Sequence, residues 1–281
     1  KMPIKLTLLL ASFIALYLAH DIKPLKNELP LVQTKDGPVQ GFIDNNAAAP
    51  YAFYYGIPFA KPPLDTLRFM PPENPDRWTT PIMASTFKPQ CAQNERVPEK
   101  VYDEDCLYLN VFTPSMPQED LPVLVFIHGG SFLHGGTSDY PSGQLSVFTN
   151  SVIVTIAYRV DIFGFYFNED NKQYENVGLH DQALGIQWVY DNIKAFGGDP
   201  SSLTIFGESA GGMSVLMQGL IPTASPISNS IKAVIAESPA PWKMPSISDT
   251  NELSSAIGEY LHCPGDVTRC LQDVPASVIL A

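Results

Sequence analysis

Several common features are scarce or missing in this sequence of 281 residues, and each gap excludes something. Basic residues are few: 17 Lys and Arg stand against 29 Asp and Glu, for a net charge of −12 with no Lys/Arg cluster. A nucleic-acid partner is therefore not expected. No CxxC pair occurs, which removes the usual spacing of a zinc or redox site, and neither a metal nor a cofactor is expected. Asn-x-Ser/Thr is absent, so glycosylation offers no support for secretion. There is no internal repeat, which excludes solenoids and propellers.

No apolar run reaches bilayer length either. The longest, Leu6 to Ala19, follows Lys1 and Lys5 and reads as a secretory signal. On that reading residues 1–19 are removed, residues 20–281 remain and the protein is secreted. Ala19 is small enough for a cleavage site, whereas Tyr17 is a poor residue two positions before it. An N-terminal anchor or a buried helix is the alternative. Lys1 preceding Met2 suggests that the chain does not begin at a natural initiator.

What is present suits a globular enzyme, with 45% hydrophobic and 16% charged residues. Four cysteines fit an oxidising compartment. They allow three pairings, of which sequence proximity favours Cys91–Cys106 and Cys263–Cys270. A bridge closing a loop the size of the first stabilises a fold by about 3 kcal/mol in the loop-entropy model.

Leu29 to Asp44 reads as two short strands around an Asp36-Gly37 turn, residues 56–100 as Pro-rich loop, and Leu107 to Pro114 as a half-buried strand. Four near-continuous apolar runs follow: Leu121 to His128, Ser151 to Tyr158, Leu203 to Gly207 and Ile231 to Glu237. Such runs fit strands covered on both faces, as in a parallel sheet. Asp181 to Phe196 carries apolar residues at helical spacing, and Ser209 to Gln218 can form a second helix. The alternation predicts an open α/β sheet.

Between the third run and its helix lies Gly207-Glu208-Ser209-Ala210-Gly211, a G-x-S-x-G in the strand–turn–helix context that the motif needs. A serine on so sharp a turn takes a strained backbone, and Gly207 and Gly211 have no side chains to clash there. The helix N-terminus would direct N–H groups at an oxyanion beside Ser209. Phe126 to Gly136 ("FIHGGSFLHGG") supplies more donors: the amides of Gly129 and Gly130, with Ala210 as the third. One donor of this kind is worth about 3 kcal/mol in the transition state. No Gly-Lys-Ser/Thr follows, which disfavours a phosphate loop.

A base for Ser209 is harder to find. His20 borders the signal, His128 reads as a packing residue, and His134 and His262 lie in loops. His180 beside Asp181 precedes Ser209, whereas the hydrolase order is serine, acid, histidine.

Residues 54–69 ("YYGIPFAKPPLDTLRF"), 104–114 ("EDCLYLNVFTP"), 158–165 ("YRVDIFGF") and 176–212 carry a resemblance. Together they are similar to blocks of the type-B carboxylesterase and cholinesterase family, over nearly the whole chain after the signal. The resemblance implies an α/β-hydrolase fold, with a central mostly parallel sheet flanked by helices. It implies a serine ester hydrolase acting on a small-molecule ester, with Ser209 as nucleophile and Gly129, Gly130 and Ala210 as oxyanion donors. The same two disulfides follow from it, as do structural ion pairs Arg68–Glu104 and Arg159–Asp181. The family's triad acid and histidine would fall beyond Ala281, so residues 20–281 are expected to be the N-terminal part of one hydrolase domain and inactive alone. A catalytically silent adhesion domain is the family's other outcome. Asp65 stands where the family usually has Gly, and Ser238-Pro239 replaces a Ser-Gly pair. Cholinesterases place a tryptophan inside the first disulfide loop, but Ala92 to Asp105 has none. Choline esters are therefore not the expected substrates.

Overall fold

The computed structural model describes residues 30–94, 97–115, 118–167, 175–221, 227–239 and 247–281. The signal-like segment, residues 95–96 of the first disulfide loop and Trp242 lie outside them.

The strands, in chain order, are β1 (Leu31–Gln33), β2 (Pro38–Gln40), β3 (Phe42–Asp44), β4 (Tyr51–Pro58), β5 (Ile82–Met83), β6 (Gln90–Cys91), β7 (Tyr102–Asp103), β8 (Tyr108–Pro114), β9 (Leu121–Ile127), β10 (Val152–Ile156), β11 (Gly198–Glu208) and β12 (Ile231–Glu237). Seven of them form the main sheet in the order β12-β11-β9-β10-β8-β4-β3. The four apolar runs become β9 to β12 and pair in parallel, whereas β8, β4 and β3 join antiparallel. The sheet is therefore mixed, and its parallel half carries the Gly-rich turns.

Two differences from the sequence reading stand out. The segment 29–44 holds three strands, because Gly41 lets the chain bend from β2 into β3, where a Cβ would meet the Tyr54 ring at 2.4 Å. A long strand not read from the sequence, β4, also runs up to and three residues into the Pro-rich stretch; its aromatic-rich sequence pairs with β8 through an irregularity between Tyr54 and Ile57.

Helices α1 (Gly143–Thr149), α2 (Asp161–Phe165), α3 (Val177–Asn192) and α4 (Ala210–Leu220) flank the sheet. The first packs on β8 and β4, α3 on β10 and β11, and α4 on β11 and β12. Gly185 lets α3 lie close, since a Cβ there would sit 2.6 Å from Ile156. Burying the β10 and β9 residues against these layers is the main stabilising contribution, at about 25 cal/mol per Å² of apolar surface.

Helices α5 (Ile247–Tyr260), α6 (Val267–Asp273) and α7 (Ala276–Ile279) form a second, smaller core with Phe69, Phe163 and Tyr166. The Cys263–Cys270 disulfide closes it, and Cys91–Cys106 joins β6 to the segment before β8. Asp266 caps α6 by accepting from the Arg269 amide. Arg68 ties this unit to the rest, donating twice to Glu104 and once each to the carbonyls of Leu271, Gln272 and Val274. Asp65, at the family's glycine position, has φ 51°. That left-handed conformation suits glycine, and Asp is among the side chains that tolerate it.

Candidate active site

Strands β9 and β11 are parallel neighbours, with Gly207 opposite Ile127, so their carboxyl ends open side by side. In an open α/β sheet ligands bind at such ends. The chain after β9 is the turn His128-Gly129-Gly130, and the chain after β11 is Glu208-Ser209-Ala210.

Ser209 has φ 56° and ψ −120°, a strained conformation for a residue with a side chain. Its neighbours explain how this is tolerated. A Cβ on Gly207 would lie 2.6 Å from the Gly211 carbonyl oxygen, and one on Gly211 would lie 2.0 Å from the Ile127 oxygen. Only glycine fits at either place. Gly212 lets α4 approach β12, where a Cβ would meet the Glu237 oxygen at 2.7 Å. The Ser209 amide donates to that same Glu237 oxygen at 2.9 Å, which fixes the turn and removes this amide as an oxyanion donor.

The turn after β9 comes directly against the serine. A Cβ on Gly129 would sit 3.2 Å from Ser209 Cβ and 2.6 Å from the Glu208 oxygen. Gly130 has φ +110°, and its carbonyl accepts from the amides of Leu133 and His134. Among the described residues, neither Gly129 nor Gly130 uses its own N–H on a protein acceptor. Ala210, the third expected donor, begins α4 directly after the half-buried Ser209.

His128 is fully buried and belongs to this loop's support. Its Nδ1 donates to the Gly129 carbonyl at 2.8 Å, its ring stacks on Tyr158 at 4.3 Å, and its own carbonyl accepts from the Tyr158 hydroxyl at 2.9 Å. Burial pushes its pKa down to about 4, against a smaller opposing effect of the bond to Gly129. It stays neutral at physiological pH.

No hydrogen bond joins Ser209 Oγ to a histidine among the described residues. His180 is exposed at the start of α3, and both Asp181 oxygens are occupied by Arg159: Nε at 2.8 Å, Nη2 at 2.7 Å and the backbone amide at 3.0 Å. That pair is buried, with Arg159 3% and Asp181 0% exposed, so Asp181 holds structure together and leaves His180 unaided. His262 lies between the second disulfide's helices, at φ 55°.

Two residues escaped the sequence reading. Gln90 Nε2 donates to Ser138 Oγ at 2.8 Å and Asp139 Oδ2 at 3.1 Å, and Gln93 bonds to Gly135. Their only signal was flanking Cys91. No group of three or more potential metal ligands occurs among the described residues. Nor is any described helix long and apolar enough to cross a membrane.

Known proteins share this arrangement of sequence. Liver carboxylesterase 1 of Oryctolagus cuniculus is 43% identical over 212 residues, covering 69% of this chain and 37% of that protein. Carboxylesterase 1F of Mus musculus is 43% identical over 211 residues, covering 69% and 38%. Carboxylesterase 1D of Rattus norvegicus is 44% identical over 214 residues, again covering 69% and 38%. The chain thus matches less than two-fifths of the length of these curated relatives. The carboxylesterase family model matches residues 28–281, which takes in the whole sheet, the strained serine and the glycine turn facing it, and the chain belongs to that family.

Proposed function

We propose that the full-length protein containing this chain is a carboxylic ester hydrolase acting through an acyl-enzyme on Ser209. The observation that carries the reading is the strained serine at the head of α4 with the Gly129 backbone against its Cβ. Ser209 Oγ attacks the carbonyl carbon of a small-molecule ester, and the carbonyl oxygen becomes an oxyanion. The amides of Gly129, Gly130 and Ala210 donate to that oxyanion, in a site where they need no reorganisation. Collapse expels the alcohol with a proton, and water then attacks the acyl-enzyme to release the carboxylate and restore Ser209. The base that receives the Oγ proton and returns it to the alcohol is a histidine outside the described residues, oriented by an acid. The two disulfides, together with the reading of residues 1–19 as a signal, support a secreted protein.

The test is labelling of the full-length protein with an organophosphate, followed by peptide mass spectrometry. One adduct per molecule is expected, on Ser209, and Ser209→Ala should abolish hydrolysis of an aryl acetate. An adduct on a different serine, or undiminished turnover in the variant, would overturn the assignment. Turnover of choline esters is expected to be negligible beside that of short aryl esters, because no tryptophan face stands in the first disulfide loop. Comparable rates on the two would remove that expectation.

A further inference from the structure

The segment closed by the Cys91–Cys106 disulfide reaches the glycine turn through one side chain. Gln93 is 2% exposed, and its amide is fully used. Oε1 accepts from the Gly135 N–H at 2.9 Å, while Nε2 donates to the Gly135 carbonyl at 3.0 Å and to the Cys91 carbonyl at 2.8 Å. Gly135 is thereby gripped at both of its backbone polar groups by a single rigid amide.

Gly135 in turn lies against the carbonyl end of the Gly129–Gly130 peptide. It has φ +110°, and a Cβ on it would sit 2.7 Å from the Gly129 carbonyl oxygen and 2.7 Å from His128 Nδ1. The Gly129 carbonyl and the Gly130 N–H belong to one planar peptide unit. Whatever pushes or releases Gly135 therefore tilts the plane that carries the Gly130 N–H. The same Gly129 oxygen is also held by His128 Nδ1, at 2.8 Å.

We infer that Gln93 is a positioning residue of the oxyanion hole, which fixes the tilt of the Gly129–Gly130 peptide by clamping Gly135 against it. This rests on the reading of Gly129 and Gly130 as oxyanion donors. It assigns the first disulfide segment a part in catalysis beyond closing a loop: Cys91 anchors the backbone from which Gln93 reaches across. A displacement of about 1 Å at a reacting centre can cost on the order of 100-fold in rate. The loss falls on the transition state, because the ground-state ester makes weaker use of these donors.

The experiment compares wild type, Gln93→Leu and Gln93→Glu in the full-length protein. Four readouts are taken: kcat and KM on an aryl acetate, the inhibition constant of an aryl trifluoromethyl ketone, hydrogen–deuterium exchange of peptides spanning 128–136, and thermal unfolding. For Gln93→Leu, kcat should fall about 10- to 100-fold with KM within about twofold, and ketone affinity should fall by the same factor. Exchange in 128–136 should quicken while the α4 peptide stays as in wild type. Gln93→Glu keeps the acceptor for the Gly135 N–H and regains one donor when its carboxyl is protonated. Its kcat relative to wild type should therefore rise as pH falls, a signature that a merely structural amide would not give. A folded variant with unchanged kcat, ketone affinity and exchange would overturn the proposal, as would a rise in KM at constant kcat. If Gln93→Leu fails to fold, Gln93→Glu decides through its pH profile and exchange. Should wild type show no Ser209-dependent hydrolysis, the ester-hydrolase reading fails by itself, and the exchange comparison still decides whether Gln93 fixes the loop.

Discussion

Strands β10 (VIVTI) and β12 (IKAVIAE) are both short, apolar and rich in β-branched residues, yet all five residues of β10 are buried and none of β12 is. β10 lies between β9 and β8, with α3 packed on it and Gly185 against Ile156. β12 has β11 as its one strand neighbour among the described residues, and α4 covers part of it, with Gly219 against Val234. Ile235 stays 48% exposed. A continuous apolar run thus states which surfaces a strand can bury, and its neighbours determine which it does bury. The polar groups follow the same division: Arg159, just past β10, is paired in the interior, whereas Lys232 on β12 is exposed.

The largest effect is expected at the interior pair. Asp181→Ala leaves the Arg159 guanidinium buried without its counter-charge and should destabilise the protein by about 3–5 kcal/mol. Lys232→Ala should stay within about 0.5 kcal/mol. Denaturant midpoints for the two variants test the contrast, and equal shifts would break it. The apolar comparison comes next. Ile153→Ala on β10 opens a cavity and should cost about 2–5 kcal/mol, while Ile235→Ala on β12 should cost under about 1 kcal/mol. Equal costs would show that β12 is covered after all.

Just past the carboxyl end of β9 the buried His128 makes stability depend on pH. Its folded pKa of about 4 lies below the ordinary value of 6.5, so the unfolded chain binds a proton that the folded chain refuses. Stability is complete above about pH 6.5, is lost as pH falls through the window between the two values, and changes no further below about pH 4. The whole loss is about 3–4 kcal/mol at about 1.4 kcal/mol per pH unit. His128→Gln should flatten that slope between pH 4 and 6.5, and an unchanged slope would assign it to other groups.

The serine elbow was the most legible part of the sequence, because local sterics dictate it. Gly207 and Gly211 are required by atoms within a few residues or on the adjacent strand, so a five-residue motif contains the reason for the geometry. The parallel strands were legible for a similar reason, since uninterrupted apolar runs have few other uses. Strand β4 was missed because its pattern is broken at Gly56, φ +69°, and runs into prolines. Its identity comes from pairing with β8, fifty or more residues away. Gln93 was invisible because glutamine has no motif and its partner Gly135 is 42 residues distant. His128 shows the intermediate case: its place beside the glycines was evident, but its burial and its stacking on Tyr158, 30 residues away, are announced by no local pattern.

A small expected change in stability is the most direct probe of the edge. In the 281-residue chain, Ile235→Lys on β12 should alter unfolding free energy by no more than about 1 kcal/mol, the bound set for Ile235→Ala, since half of that side chain already meets water. Its effect on association should be much larger. An exposed edge strand offers unpaired N–H and C=O groups to another copy, and an apolar side chain on it adds area to the contact. A lysine there must be desolvated before a second edge can dock, and a facing pair of lysines repels. Light scattering over time at fixed protein concentration should therefore show slower aggregation for Ile235→Lys than for wild type, while Ile235→Val should behave as wild type. Unchanged aggregation in a folded variant would show that β12 is not the sticky edge. A loss of several kcal/mol would show instead that Ile235 is packed, and the difference between the centre and the edge of this sheet would disappear.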